Sequence, residues 1–260
     1  MTLKKILHPK LEFKDITHGF FTRKGGCSKS PYASLNCSFN VEDKESDVKK
    51  NLILVCNELK LEKLIKLNQI HSSKVFVVNS KIDLINNVKA DGLVTKLKGI
   101  GLSVLGADCA PILFYDQISK IIGACHAGWR GSINGIIEST ITNMETLGAK
   151  RNDIISIIGP TIHKESYEIK KDVALIVKET EFYKKNHSIL FHVKDDKYLF
   201  DLPLLIKESL KSSKITNFGD IYINTYKKSN LFFSHRKSCH KNFPKEGKTG
   251  RHISVIGLIS

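Results

Sequence analysis

Residues 101–137 read GLSVLGADCAPILFYDQISKIIGACHAGWRGSINGII, and the period of their apolar residues changes once along the stretch. From Gly101 to Ala124, apolar runs of strand length alternate with polar breaks at Asp108–Cys109 and at the DQIS turn of 116–119. Beyond Gly131, Ile133, Ile136, Ile137, Ile141, Met144 and Leu147 recur at helical spacing, and Gly148 supplies a stop. Strands that hand over to an amphipathic helix require sheets and helices stacked in layers, so the chain is read as α/β.

The flanks extend the pattern. Upstream, 18–24 reads as a strand entering a Gly25–Gly26 turn. Val48, Leu52, Val55, Cys56 and Leu59 mark a helix capped by Ser46 or Asp47, and strands follow at Leu64–Leu67 and Val75–Val78. Downstream, a strand at Ile154–Ile158 ends in Gly159–Pro160. Helices are expected over 171–181 and 202–213, the second with Asp201 as cap and Pro203 in its first turn. Strands near 220–224, 230–235 and 252–259 complete the chain. Strands and helices interleave without strict βαβ alternation, which implies mixed sheets. No linker or repeat divides residues 1–260, so a single domain is expected.

Composition removes several classes of function. No apolar run approaches the roughly 20 residues of a membrane span. The amino-terminal MTLKKILHPKLEFKD has no apolar signal core, so a cytoplasmic protein is expected. Six cysteines, at 27, 37, 56, 109, 125 and 239, show no CxxC pair and read as free thiols, with Cys125 in a strand and Cys239–His240 in an exposed basic loop. The net charge of +15 comes from lysines spread along the whole chain, which argues against nucleic-acid binding as the main task.

Against that lysine background only five of the 41 basic residues are arginine: Arg23, Arg130, Arg151, Arg236 and Arg251. Arginine is retained where a planar five-donor fork is needed, and four of the five lie in polar or glycine-flanked segments, which suggests a site for an anionic or planar ligand. His71, Cys109 and His126 each stand at the end of an apolar run, and a hairpin between Cys109 and His126 would bring the last two together. Two imidazoles and a thiolate suit zinc, or copper, and leave a fourth position open. Without metal, Cys109 as nucleophile and His126 as base, with Asp108 orienting a histidine, would give a thiol hydrolase. The spacing alone matches no short metal motif, so both chemistries stay open.

The segments HGFFTRKGG, PYASLN, LNQIHSSKV, ADGLVT, ADCAPILFYD, ACHAGWRGSINGII, IGPTI, ESYEI, LFFSHR and TGRHISVI follow one another from His18 to Ile256. In that order they resemble the YfiH-type family of purine nucleoside phosphorylases, also described as laccase-domain or multicopper polyphenol oxidase-like proteins. The resemblance implies a four-layer α/β/β/α sandwich with mixed sheets and a zinc site at His71, Cys109 and His126, with copper as the other metal. It also implies phosphorolysis of adenosine, inosine and methylthioadenosine, with an accompanying adenosine deaminase activity. The HxE…PCxxC signature of cytidine-type zinc deaminases is absent.

That chemistry assigns further roles. Arg23 with Gly25–Gly26, and Arg130 beside Gly128 and Gly131, are candidates for phosphate. Ser34 and Asn36 are candidates for sugar hydroxyls, and Tyr167 or Phe233 for stacking on the purine. Gln69 and Arg236 complete the expected substrate-binding set. Asp108 and His163 are the candidate general acids. Cysteine amidohydrolase and copper phenol oxidase remain alternative enzymes, and the chain is expected to act as a monomer or a homodimer.

Overall fold

The computed structural model describes residues 2–80, 88–242 and 247–259. Strands β1 (Lys5–Ile6) and β2 (Ile16–Phe21) precede helix α1 (Glu45–Glu58), followed by β3 (Lys63–Ile65), β4 (Val75–Val78) and β5 (Gly92–Thr95). The 101–137 stretch supplies most of β6 (Ile100–Gly106), then β7 (Ala110–Asp116), β8 (Ile121–Ala127), α2 (Trp129–Ile133) and the start of α3 (Ile136–Thr146). Next come β9 (Ile154–Ile158), β10 (Glu168–Lys170), α4 (Lys171–Lys178), α5 (Glu181–Lys185), β11 (Leu190–Lys194) and β12 (Lys197–Phe200). The chain closes with α6 (Leu202–Ser212), β13 (Phe218–Asp220), α7 (His235–Asn242) and β14 (His252–Leu258).

Two large sheets, β1-β2-β14-β6-β3 and β13-β9-β7-β8-β5-β4, are both mixed: antiparallel in the middle, with parallel pairs β3/β6, β4/β5 and β9/β13. They stack face to face. Phe20, Leu102, Val104 and Ile256 of the first sheet meet Leu113, Tyr115, Ile122 and Ile157 of the second. The second sheet's other face, including Ile112, Phe114 and Ile158, packs under α3 and α6. The first sheet's outer face, including Phe21, Ile253 and Val255, packs under α1. The layers are therefore α/β/β/α, the expected order. β7 is buried along both faces, which is why APILFY at 110–115 reads as an unbroken apolar run rather than an alternating one. No helix among the described residues is long and apolar enough to cross a membrane.

Several expectations need correction. The 230–235 run is not a strand: Phe232 and Phe233 are apolar because a loop buries them, and the strand near 220–224 ends at Asp220. The helix expected over 171–181 breaks into α4 and α5, where Thr180 caps the second by accepting from the Tyr183 amide. Helix α1 begins after Lys44 with no side-chain cap, so neither Ser46 nor Asp47 serves. Cys239 and His240 lie on α7 rather than in a loop. The rest of the basic segment, 243–246, falls outside the described residues. The three-stranded sheet β10-β12-β11 was not foreseen.

Candidate metal centre

The topology gathers chain ends at one end of the six-stranded sheet. β5 begins there, β8 ends there opposite it, and β7 begins beside β8 with Ala110 paired to Ala127 and Pro111 to His126. β9 and β13 end on the same side, so the loops after them cover the same region. Cys109 thus lies one residue before β7 and His126 one residue before the end of β8. His71 comes from the turn ahead of β4.

One ligand atom each from His71, Cys109 and His126 lie within 4.8 Å of one another, close enough for a single ion to touch all three. The imidazoles of His71 and His126 meet edge to face with centroids 4.9 Å apart. Gly128 is required here. A Cβ at that position would stand 2.9 Å from Cys109 Sγ and 3.2 Å from the His71 ring, filling the cradle between them.

Asp91, the residue before β5, organises the set and is fully buried. Its carboxylate accepts from the amides of Ile70 (3.1 Å), His71 (3.0 Å) and Ser72 (2.7 Å) and from the Ser72 hydroxyl (2.9 Å). This network holds His71 in the left-handed region, at φ 57°, a conformation costly for a residue with a Cβ. The same carboxylate lies 3.0 Å from His126 Nδ1. With the proton on Nδ1, Nε2 is left to face Cys109, the carboxylate–histidine arrangement that orients metal ligands.

The electrostatics agree with a cation-binding set. Burial pushes the Cys109 thiol up, but the adjoining imidazoles of His126 and His71 outweigh it and bring it down to about 6. Burial disfavours charge on His126, yet Cys109 and Asp91 together raise it to about 9. The Asp91 carboxyl is held at about 2 by His126 and Ser72 against its own desolvation. A thiolate facing imidazoles is stabilised by a proton or, equally, by a soft divalent ion in the proton's place. The donor set fits zinc or copper.

Three further expected residues converge on the centre. Tyr167 lies within electrostatic range of Cys109, Arg236 and Arg130, and the Arg236 guanidinium stands 5.5 Å from its ring centroid. Arg130 is exposed, with its guanidinium 4.5 Å over Trp129. Among the described residues neither arginine has a carboxylate partner.

The other expected residues are placed differently. Among the described residues Asp108 orients no histidine: its carboxylate accepts from Thr225 Oγ1 and from the Arg236 amide, both at 2.7 Å. Gln69 spends both ends of its amide on the backbone of Leu105. Asn36 is fully buried, giving its NH2 to Ser38 and Asp43 and accepting from the amides of Ser38 and Arg251. The Ser34 hydroxyl bridges the Arg23 carbonyl and the Gly26 amide. Arg23 donates to the carbonyls of Ala33 and Ser229 and lies over the buried ring of Phe233. The Gly25–Gly26 turn packs on the chain's own backbone at Thr2 and Ser34, so it offers no anion cradle. His163 lies tilted against Tyr222, ring centroids 4.8 Å apart, in a cleft shared with Asp201 and Lys207. Asp91 is the residue that sequence reasoning missed. Its one signal is a lone carboxylate ahead of an apolar strand, in ADGLVT.

Residues 17–259 match the family described as multi-copper polyphenol oxidoreductase laccase. The chain is 32% identical over 235 residues to a purine nucleoside phosphorylase of Rickettsia prowazekii, covering 90% of this chain and 94% of that protein. It is 30% identical over 258 residues to the purine nucleoside phosphorylase YlmD of Bacillus subtilis, covering 94% and 89%. The crystal structure of Bacillus licheniformis YfiH superposes with a TM-score of 0.85 at 30% identity, over 94% of this chain and 92% of that one. With the family match spanning the His–Cys–His centre and nearly all of both large sheets, the chain belongs to the multi-copper polyphenol oxidoreductase laccase family.

Proposed function

We propose that the chain is a zinc-dependent purine nucleoside phosphorylase that cleaves adenosine, inosine and methylthioadenosine with phosphate, and that it also deaminates adenosine. The names of the relatives support the phosphorylase class. The observation that carries the reading is local: two arginines without carboxylate partners among the described residues stand near the His71–Cys109–His126 set, Arg236 against Tyr167 and Arg130 over Trp129, four residues after the ligand His126.

Phosphorolysis forms a bond from a phosphate oxygen to the sugar C1′ and breaks the C1′–N bond, whose electrons leave with the base. The two guanidiniums supply fork donors for the phosphate and offset its charge as it approaches the sugar. Tyr167 offers a ring against which the nucleoside is oriented. Asp108 is a positioning residue in this scheme, because its hold on the Arg236 amide sets the start of α7 and hence the aim of Arg236. His71, Cys109 and His126 would hold zinc, which when bound supplies Lewis acidity toward the base or toward water at purine C6.

The thiol-hydrolase alternative uses the same Cys109 and His126. Against it, both imidazoles press on Cys109, and Asp91 aims the free nitrogen of His126 at the same point. The test is chromatography of zinc-loaded protein incubated with adenosine, with and without phosphate. Adenine and ribose 1-phosphate appearing only with phosphate support phosphorolysis, and inosine formed without phosphate supports deamination. Turnover that survives chelation but is abolished by alkylating Cys109 would overturn the metal reading. Metal analysis of the purified protein distinguishes zinc from copper.

A further inference from the structure

Residues 221–245, IYINTYKKSNLFFSHRKSCHKNFPK, contain no aspartate or glutamate. Their described part places cations in sequence leading away from the metal centre. Arg236 faces Tyr167 at the centre, and its amide is fixed by Asp108, the neighbour of Cys109. One residue on, Lys237 lies with its ammonium 5.0 Å over the Tyr226 ring, and the Tyr226 hydroxyl is 3.0 Å from His240 Nδ1. Lys237, His240 and Lys241 share one face of α7 by their three- and four-residue spacing, and Lys228 is exposed on the preceding turn. Lys227 is paired with Glu165 at 3.0 Å, but among the described residues Lys228, Arg236, Lys237 and Lys241 have no carboxylate partner.

A row of uncompensated cations beginning at a nucleoside site has no use for a neutral nucleoside. Inorganic phosphate is provided for by Arg130 and Arg236 alone. We propose that the α7 strip receives the phosphate tail of a nucleoside 5′-polyphosphate whose nucleoside end enters the metal centre, so that such nucleotides compete with the nucleoside substrate. The proposal rests on the nucleoside reading of the site. Two features favour a short tail over a nucleic-acid strand. An eight-residue helix offers about 12 Å of track, the reach of two or three phosphates. Tyr226 is covered by Lys237 and His240, so its ring is not an open platform for successive bases.

The experiment compares ADP with adenosine on the zinc-loaded protein, by calorimetric binding and by inhibition of adenosine turnover. The expected result is that ADP binds about tenfold more tightly than adenosine at low salt, competes with it, and loses that advantage as salt rises. The Lys237→Glu/Lys241→Glu double variant should weaken ADP about tenfold while adenosine kcat/KM stays within about twofold. ADP binding no tighter than adenosine, or unchanged by the variant, overturns the proposal. Displacement of ADP by a short thymidine oligomer at lower concentration than by ATP also overturns it and assigns the strip to nucleic acid. Charge-dependent ADP binding without adenosine turnover would instead remove the phosphorolysis reading and leave the tail site standing.

Discussion

Asp91 shows how much a single buried carboxylate can organise. Four hydrogen bonds to residues 70–72 shape the turn that presents His71, and a fifth contact fixes His126. Asp91→Asn keeps the volume but turns an amide NH2 toward backbone donors and lowers the basicity of His126. The expected outcome is zinc affinity weaker by about 10–100-fold, read by competition with a chromogenic chelator. Affinity equal to the native protein would reduce Asp91 to a turn-former. Gly128→Ala acts from the opposite side by pressing a methyl on Cys109 Sγ. It should weaken zinc binding by the same factor at every pH, since it adds bulk and no charge. A loss of affinity that grows or shrinks with pH would contradict the steric account. His71, Cys109 and His126 were legible because each terminates an apolar run, where a sheet presents side chains. Asp91 was not, because its partner His126 lies 35 positions away and no local pattern joins them. Ser34, Asn36 and Gln69 looked like ligand residues because polar type is visible in a sequence, whereas a backbone partner that consumes the polar atoms is not.

Among elements, those whose partners are local were readable. α6 begins where Asp201 accepts from the Leu204 amide at 3.0 Å, and β9 has the bounds its apolar run suggested. Phe232 and Phe233 misled because burial in a loop and burial in a strand leave the same apolar mark. The packing of α3 beside α6 has a polar clamp outside the core. Arg151 donates to Glu138 and Glu145 of α3 and to the carbonyl of Ser213 at the end of α6. Arg151→Ala should cost about 1–2 kcal/mol in chemical denaturation, with the partly exposed ion pairs discounted for screening. Arg151→Lys should recover less than half of that, because an ammonium cannot span two carboxylates and a carbonyl in the plane of a guanidinium. A fully stable Lys variant would show that charge alone matters there.

At the scale of the whole molecule, the two-sheet core carries polar groups that tie its stability to pH. His18 is buried with its Nε2 accepting from the His8 amide at 2.9 Å, and burial, with His8 and Lys5 nearby, pushes it down to about 4. His252 is 1% exposed, and neither ring nitrogen has a hydrogen-bond partner among the described residues. Burial, with Arg251 and Arg23 nearby, pushes it down to about 3. In the unfolded chain both titrate near 6.5. From there down to about 4 the unfolded state holds protons that the folded state refuses, so stability falls as pH falls, by up to roughly 1.4 kcal/mol per pH unit for each histidine. Of the strongly shifted groups of the centre, Cys109 at about 6 also takes up its proton in this window, so the stability its thiolate contributes above the ordinary thiol range is lost as pH falls through about 6. His126, raised to about 9, contributes stability that is complete below 6.5 and lost as pH rises through 9. Asp91, held at about 2, loses its contribution only below the ordinary carboxylate range. Urea unfolding between about pH 6.5 and 4.5 therefore reports the buried histidines together with Cys109 and the lowered His8 and His163, and only a variant of one of them separates its share. His252→Phe, which fills the same apolar site beside Phe232, should lessen the dependence of stability on pH by about one proton, and its advantage over the native protein should grow as pH falls. Parallel pH profiles for the two proteins would mean that His252 takes up its proton in the folded state and that the acid sensitivity lies elsewhere.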